Sequence, residues 1–208
     1  EDLRADRQPE HTQLDFEMSF VHQDDVMAIV EELYARIVNE TRPEVEVVKP
    51  FPRLTYAEAM EKYGSDKPDL RFGLEMTTIT ETAASSDARV FQAVASSGGT
   101  IRGFVAPGCG DYGRRQTDDL TEFAKSSGAQ GLVFIALDEA AQSIDALEDD
   151  HVKSPLKKFL SLDVIKQMAK EMGAEPGDLM LIVAGTSKLV NTVLSNLRNE
   201  MGRRLGLA

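Results

Sequence analysis

Polar and apolar residues alternate strictly along QLDFEMSF, residues 13–20. Successive side chains of an extended chain point to opposite faces, so the even-numbered apolar positions share one face and the odd-numbered polar positions share the other. The pattern predicts a half-buried antiparallel strand. Its polar face carries Gln13, Asp15 and Glu17, with about 7 Å between successive side chains.

Helical signals follow this strand. Asp24 is placed to cap a helix whose apolar positions recur every three or four residues as far as Val38, and TRPE ends it. The spacing of two capping boxes predicts the starts of two further short helices, the first of which stops at Gly64: Thr55 with Glu58, and Thr78 with Glu81. Between those helices, the polar stretch YGSDKPDLRFG (residues 63–73) predicts a loop.

The residue pattern changes at about Ala88, after which short apolar runs alternate with Gly and Ser turns. Four runs predict strands: ARVFQAVA, TIRGFVAP, QGLVFIAL and DLMLIVAG. SSGG between the first two predicts a hairpin turn. Three helices are predicted: Thr117 to Gly128, Ser154 to Gly173 with a break near Ser161, and Thr186 onward. The apolar stripe of the last helix is long, so we expect it to pack back against the first segment.

Charge and composition exclude several classes of protein. The 208 residues include 35 acidic and 23 basic side chains, a net charge of -12, which argues against broad nonspecific binding of nucleic acid. Any contact with nucleic acid must therefore be local. The single cysteine, Cys109, cannot form an internal disulfide, and we interpret it as structural. No apolar run approaches the roughly 20 residues that span a bilayer and no signal-like start is present, so we expect a cytoplasmic protein without a membrane partner.

Two groups of polar residues each allow two interpretations. The row Gln13, Asp15 and Glu17 is either a solvated sheet face, which alternation alone favours, or the wall of a cleft in which a carboxylate pairs with a ligand ammonium. Arg4 and Arg7 lie among acidic residues, so they either form surface ion pairs or recognise phosphate.

The sequence resembles a known family over nearly its whole length. EDLRADRQPEHTQLDFEMSF (residues 1–20) resembles the second signature motif of bacterial aspartyl-tRNA synthetases, members of the class II aminoacyl-tRNA synthetases. The similarity continues through TYAEAMEKYGSDKPDLRFG, through a bacterial insertion called the GAD domain, and into LRNEMGRRLGL. It implies a reaction in which ATP and L-aspartate form aspartyl-adenylate and the aspartyl group passes to tRNA, with Mg2+ implied only through ATP.

The resemblance also implies roles for particular residues. It assigns Glu1, Gln8 and His11 to ATP, Gln13 and Asp15 to aspartate, and Arg4 and Arg7 to the acceptor end of tRNA. Asp15 is then the expected partner of the aspartate ammonium. No covalent catalytic residue and no metal ligand is expected, because such catalysis consists of positioning and charge stabilisation.

Two positions leave alternatives open. His11 stands where the family has a phenylalanine under the adenine ring, so it either stacks as a planar imidazole or is only a loop residue. SDKPD resembles a family signature, yet Asp66 and Lys67 are expected to fix the loop through local hydrogen bonds rather than to bind a ligand.

The resemblance implies that parts of such an enzyme are missing from these residues. An arginine two positions before Glu1, the anticodon-binding barrel, and the first and third signature motifs are not in the sequence. We therefore expect a piece of a longer, homodimeric synthetase that is inactive by itself and binds no cofactor.

We predict an α+β fold in three parts. Residues 1–87 are a partial class II antiparallel sheet with its helices, residues 88–186 are a GAD domain of about four strands with helices on one side, and residues 187–208 are a returning helix. An alternative for residues 88–186 is the tRNA-contacting module of an amidotransferase, which also carries a GAD domain. A further hypothesis is that the inserted domain itself contacts the acceptor arm of tRNA or closes over the active site.

Overall fold

The computed structural model describes residues 10–207, which divide into two compact units, residues 10–53 and residues 54–207. In the first unit, helix α1 spans Gln23–Thr41. Its cap is His22, whose backbone N–H donates to the Asp25 carboxylate over 2.8 Å, so the predicted cap at Asp24 is wrong. The helix ends before Arg42, within the predicted TRPE stop.

The strand predicted for residues 13–20 is not formed. Residues 10–22 have neither helical nor strand structure, and the four apolar side chains of the alternating run are exposed, Phe20 completely so. A strand needs a neighbour to accept and donate its backbone hydrogen bonds, and none of the strands in residues 10–207 pairs with this run. Ala35 is the single buried residue between positions 10 and 53. The alternation is present without the partner that would give it a buried side.

The second unit is built on one antiparallel sheet. Within residues 54–207 it has five strands in the order β1-β2-β5-β3-β4: β1 Thr77–Thr78, β2 Thr100–Ala106, β3 Val133–Leu137, β4 Val152–Lys153 and β5 Leu179–Gly185. The central pair is β2 with β5, in register with Gly103 opposite Ile182. Three of the four strands predicted from Ala88 onward are confirmed as β2, β3 and β5. An α+β fold is therefore confirmed.

Helices cover both faces of this sheet. They are α2 Tyr56–Tyr63, α3 Thr80–Ala84, α4 Arg89–Ser96, α5 Arg114–Ser126, α6 Leu162–Met172 and α7 Ser187–Arg204. Side chains of β5 alternate between two buried clusters: Met180 and Ile182 pack with α3, α4 and α6, whereas Leu181 and Val183 pack with α5 and α7. The prediction of helices on one side is wrong, because every interior position of β5 is apolar and a strand of that kind requires cover on both faces.

The run ARVFQAVA forms α4 instead of a strand. Phe91 is fully buried one helical turn from the buried Ala88, and the alanine-rich composition favours a helix. SSGG then ends the helix, with Gly98 at φ +75° and the N–H of Gly99 donating to Val94 O. The predicted hairpin is therefore absent. A short apolar run has no periodicity that separates helix from strand, which explains the error.

The capping signals have mixed outcomes. The Thr55–Glu58 capping box and the Gly64 stop of α2 are confirmed. Thr78 does not cap a helix, because it belongs to β1 and pairs with Arg102; α3 begins at Thr80.

The later helices lie close to their predicted bounds. Helix α5 begins at Arg114, three residues before the predicted start. Ser161 caps α6, Gly173 ends it, and α7 follows Thr186. Helix α7 packs on β2 and β5 and also contacts α2. The predicted boundaries at 87/88 and 186/187 stay predictions.

Candidate functional site

Four of the seven predicted site residues, Glu1, Arg4, Arg7 and Gln8, lie outside the described residues. The other three, His11, Gln13 and Asp15, are exposed and lie in the segment without regular structure. Gln13 Nε2 donates to Asp15 Oδ1 over 3.1 Å. The structure therefore brings the two predicted aspartate-binding side chains together, and no hydrogen bond joins His11 to either of them within residues 10–207.

The paired Gln13 amide and Asp15 carboxylate can still accept hydrogen bonds. The bond from Gln13 occupies one oxygen of Asp15 and leaves the second carboxylate oxygen, along with the Gln13 amide oxygen, as acceptors. An ammonium group is a three-donor cation that suits such acceptors, because hydrogen bonds between charged partners are stronger than neutral ones. The arrangement is fit to hold a primary amine.

A second feature concerns the predicted loop, residues 63–73. Its far end is bound by Arg198 of α7, which is 1% exposed. The guanidinium donates to the backbone oxygens of Asp69 (2.6 Å), Phe72 (2.7 Å) and Gly73 (2.8 and 3.0 Å). It also lies between two aromatic rings, 4.7 Å from the centroid of Tyr63 and 4.3 Å from that of Phe72. One side chain thus holds both ends of the loop.

The electrostatics of this cluster follow from burial. Desolvation lowers the pKa of Arg198, although a guanidinium stays charged in a protein. Burial also raises the pKa of Tyr63, whose hydroxyl donates to Glu75 Oε1 over 2.9 Å. No ion pair involves Arg198 within residues 10–207; its donors meet carbonyl oxygens, its faces meet aromatic rings, and the nearby carboxylates of Asp69 and Glu75 also favour its charged form.

A second buried arginine, Arg102 on β2, fixes the helix before the loop. It donates to the carbonyl oxygens of Met60 and Glu61 near the end of α2, and to Asn191 Oδ1 of α7. Its Nε is buried without a hydrogen-bond partner. Burial lowers the pKa of Arg102 as well. Segment 56–73 is therefore attached to the sheet and to α7 at two points through its backbone carbonyls.

The middle of the loop is organised by short-range hydrogen bonds. The backbone N–H of Lys67 donates to Ser65 Oγ over 3.1 Å. The Asp69 carboxylate accepts from the side chain and the backbone N–H of Arg71, and the guanidinium of Arg71 is the main reason that the pKa of Asp69 is lowered. The side chains of Asp66 and Lys67 are exposed and make none of the hydrogen bonds found within residues 10–207.

Arg198 and Arg102 were not singled out as functional or structural residues from the sequence. Arg198 does carry a signal, because it lies on the apolar stripe of α7, four residues after Leu194 and three before Met201. A charged residue on a buried helix face requires a partner. Arg102 has no comparable signal, since its carbonyl partners on α2 are more than 40 positions away in the sequence.

The described residues contain no cluster of three or more His, Cys, Asp or Glu side chains arranged to hold a metal ion. Between residues 10 and 207, no helix has the length and apolar character needed to cross a membrane.

Comparison with known proteins matches the whole chain. The family model described as tRNA synthetases class II (D, K and N) matches residues 1–193. An aspartate-tRNA(Asp/Asn) ligase from Dehalococcoides mccartyi (strain CBDB1) is 51% identical over 207 residues, which are 100% of this chain and 35% of the relative. Ligases of the same name from Symbiobacterium thermophilum and Rubrobacter xylanophilus are 48% and 46% identical and are covered over 33% of their lengths. The chain thus spans about a third of the curated relatives that it matches.

Proposed function

The chain belongs to the class II tRNA synthetases of the D, K and N group, and on this premise we propose that it supplies part of the active site of an aspartate-tRNA ligase. In the proposed reaction, L-aspartate and ATP give aspartyl-adenylate and pyrophosphate, and the aspartyl group is then transferred to tRNA. The observation that carries the proposal is identity of 46–51% with such ligases along the complete chain, including the segment with Gln13 and Asp15.

The proposed roles follow the chemistry of the side chains. Asp15 holds the ammonium of L-aspartate, and the hydrogen bond from Gln13 orients its carboxylate. ATP, which enters with its Mg2+, is contacted by Glu1, Gln8 and His11. Arg4 and Arg7 contact the acceptor end of tRNA. These groups bind and orient the reactants, and the rate gain of such a site comes from proximity and charge stabilisation.

The domain assignment, the oligomeric state and the cellular location belong to the same proposal. We infer that residues 88–186 are a GAD insertion domain, an assignment supported by the single antiparallel sheet that carries β2, β3 and β5. A homodimeric enzyme and a cytoplasmic location are further parts of it. The amidotransferase alternative accounts only for residues 88–186, whereas the ligases match residues on both sides of that range, so the ligase function is favoured.

A chimaeric enzyme tests this function. Residues 1–207 replace the matching segment of the Dehalococcoides mccartyi ligase, and aspartate-dependent exchange between ATP and pyrophosphate is measured. We expect exchange in the chimaera and a loss of at least about 100-fold on Asp15→Asn, because a neutral amide loses the charge-assisted bond and the electrostatic orientation it provides.

The matched control is Asp118→Asn, which removes an exposed carboxylate of α5 that pairs with Arg114. This variant should keep the exchange rate of the unmodified chimaera. Equal exchange rates for the Asp15 and Asp118 variants would show that Asp15 does not bind aspartate. A chimaera that folds but activates L-asparagine or L-lysine in place of L-aspartate would refute the substrate assignment.

A further inference from the structure

The stretch YGSDKPDLRFG separates into an anchored part and a displayed part. Tyr63 and Phe72 are buried against Arg198, and Gly64 lies so close to α7 that a Cβ there would be 2.5 Å from Asn191 O. Residues 65–71 between these anchors are exposed or half-buried. The ends of the stretch therefore account for packing, and the exposed middle is left without a packing role.

Holding the loop with the buried guanidinium of Arg198 has a free-energy cost. A buried guanidinium loses its hydration, and well-packed apolar residues often give equal or greater stability than buried charges. Arg198 uses its donors on the backbone oxygens of Asp69, Phe72 and Gly73, so it fixes the path of the main chain without a hydrogen bond to the side chains of residues 65–71. A site that must act on a ligand benefits from such preorganisation. The loop path, rather than stability alone, is what this contact specifies.

Lys67 is the cation that this loop displays. The loop-fixing hydrogen bonds expected of Asp66 and Lys67 are made instead by Ser65 Oγ and by the Asp69 carboxylate. Asp69 is occupied by Arg71, and Lys62 before the loop pairs with Glu75. Within residues 10–207, Lys67 belongs to no ion pair, and its side chain is exposed.

We propose that Lys67 contacts a phosphate group of a ligand bound at this loop. The inference rests on the proposed function, whose two phosphate-bearing ligands are ATP and tRNA; the contacted phosphate belongs to one of them. A lysine ammonium is a compact point charge on a flexible stem and is a common phosphate partner. In a chain of net charge -12, an exposed cation that forms no ion pair within residues 10–207 provides the local contact that an anionic ligand requires.

Binding by the chimaeric ligase tests the contact. A transcript of tRNA-Asp and ATP are titrated separately at low salt, against the unmodified chimaera, Lys67→Ala, Lys67→Arg and the matched control Lys188→Ala. Lys188 is likewise exposed and belongs to no ion pair within residues 10–207. We expect Lys67→Ala to weaken binding of one ligand about three- to fivefold, as for a single exposed charge contact, and Lys67→Arg to retain it.

The two sources of phosphate give different results. If the phosphate is that of RNA, Lys67→Ala weakens tRNA binding only, and the slope of log affinity against log salt falls by about one. If it is that of the nucleotide, only ATP binding weakens. The inference is overturned if Lys67→Ala binds both ligands normally, or if Lys188→Ala loses as much affinity.

The chimaeric ligase separates this inference from the proposed function. Lys67→Ala in the chimaera should raise the KM for ATP in the exchange assay, or the KM for tRNA in aminoacylation, about three- to fivefold. Unchanged KM values beside an inactive Asp15→Asn variant refute the loop contact and leave the ligase function intact. A chimaera that shows no exchange but still binds a ligand in a Lys67-dependent way refutes the ligase function and leaves the loop contact intact.

Discussion

Replacement of Arg198 by methionine tests whether one buried guanidinium holds the loop at residues 63–73. The side chain makes four hydrogen bonds of 2.6–3.0 Å to three backbone carbonyl oxygens. Methionine keeps much of the apolar contact with Tyr63 and Phe72 but has no donor. The three carbonyl groups then lose their partner inside the protein.

The magnitude follows from that count. A buried carbonyl left unsatisfied costs about 1–3 kcal/mol. Asp69 is half-buried and Gly73 is exposed, so water can reach some of these oxygens and the lower end of the range applies to each. Three carbonyls at about 1 kcal/mol each give about 3 kcal/mol. Loss of the contacts with two aromatic faces adds about 1 kcal/mol. We expect Arg198→Met to lower the free energy of unfolding by about 3–4 kcal/mol.

Urea unfolding followed by far-ultraviolet circular dichroism measures this change, with an unchanged slope indicating the same unfolded state. Hydrogen exchange gives the local readout at the Met76 N–H, which donates to Lys62 O over 2.8 Å beside the loop. Arg115→Met is the control, because Arg115 is exposed, belongs to no ion pair within residues 10–207, and should change stability by no more than about 0.5 kcal/mol. A loss below about 1 kcal/mol for Arg198→Met, with unchanged exchange at Met76, would refute the reasoning.

Two further predictions concern packing and titration. Gly202→Ala should lower the free energy of unfolding by about 1–3 kcal/mol in the same urea assay, because a Cβ there would lie 2.6 Å from the Phe72 ring. Gly131→Ala is the control, since the space around Gly131 is open, and equal stability of both variants would contradict the packing. Burial, with a smaller contribution from Cys109, raises the pKa of Tyr112 from 10.0 to about 12. The neutral phenol therefore stabilises the fold fully below pH 10, and this contribution is lost as pH rises from 10 toward 12. Absorbance titration should show a phenolate forming near pH 12 that Tyr112→Phe removes, and an unchanged titration curve in that variant would refute the assignment.

Local signals in the sequence were reliable where one short stretch contains both partners of an interaction. The Thr55–Glu58 capping box and the left-handed Gly64 form as predicted, because cap, acceptor and stop lie within ten residues. The apolar runs of β2, β3 and β5 likewise predict strands, since they are short, bounded by turn residues and rich in β-branched and aromatic side chains. In the run at residues 89–96, alanines stand among the β-branched and aromatic residues, and this run forms a helix.

Periodicity failed where the partner was not specified by the run itself. Residues 13–20 alternate as a half-buried strand does, yet they have no paired neighbour in the described structure and their apolar side chains remain exposed. The same limit applies to the predicted site. The sequence pairs Gln13 with Asp15 by their spacing, and the hydrogen bond between them is found, but spacing alone gives neither the walls of a cleft nor its occupant.

The sequence by itself determined the family, the identity of the candidate site residues, most of the helices and three strands of the sheet. These depend on motif identity and on contacts within a few positions of the chain. Only the tertiary structure decided that helices cover both faces of the sheet and that Arg198 reaches back more than 120 positions to hold the loop at residues 63–73. Contacts of that range depend on how elements pack around a common core, and no local pattern encodes which distant carbonyl a buried guanidinium will meet.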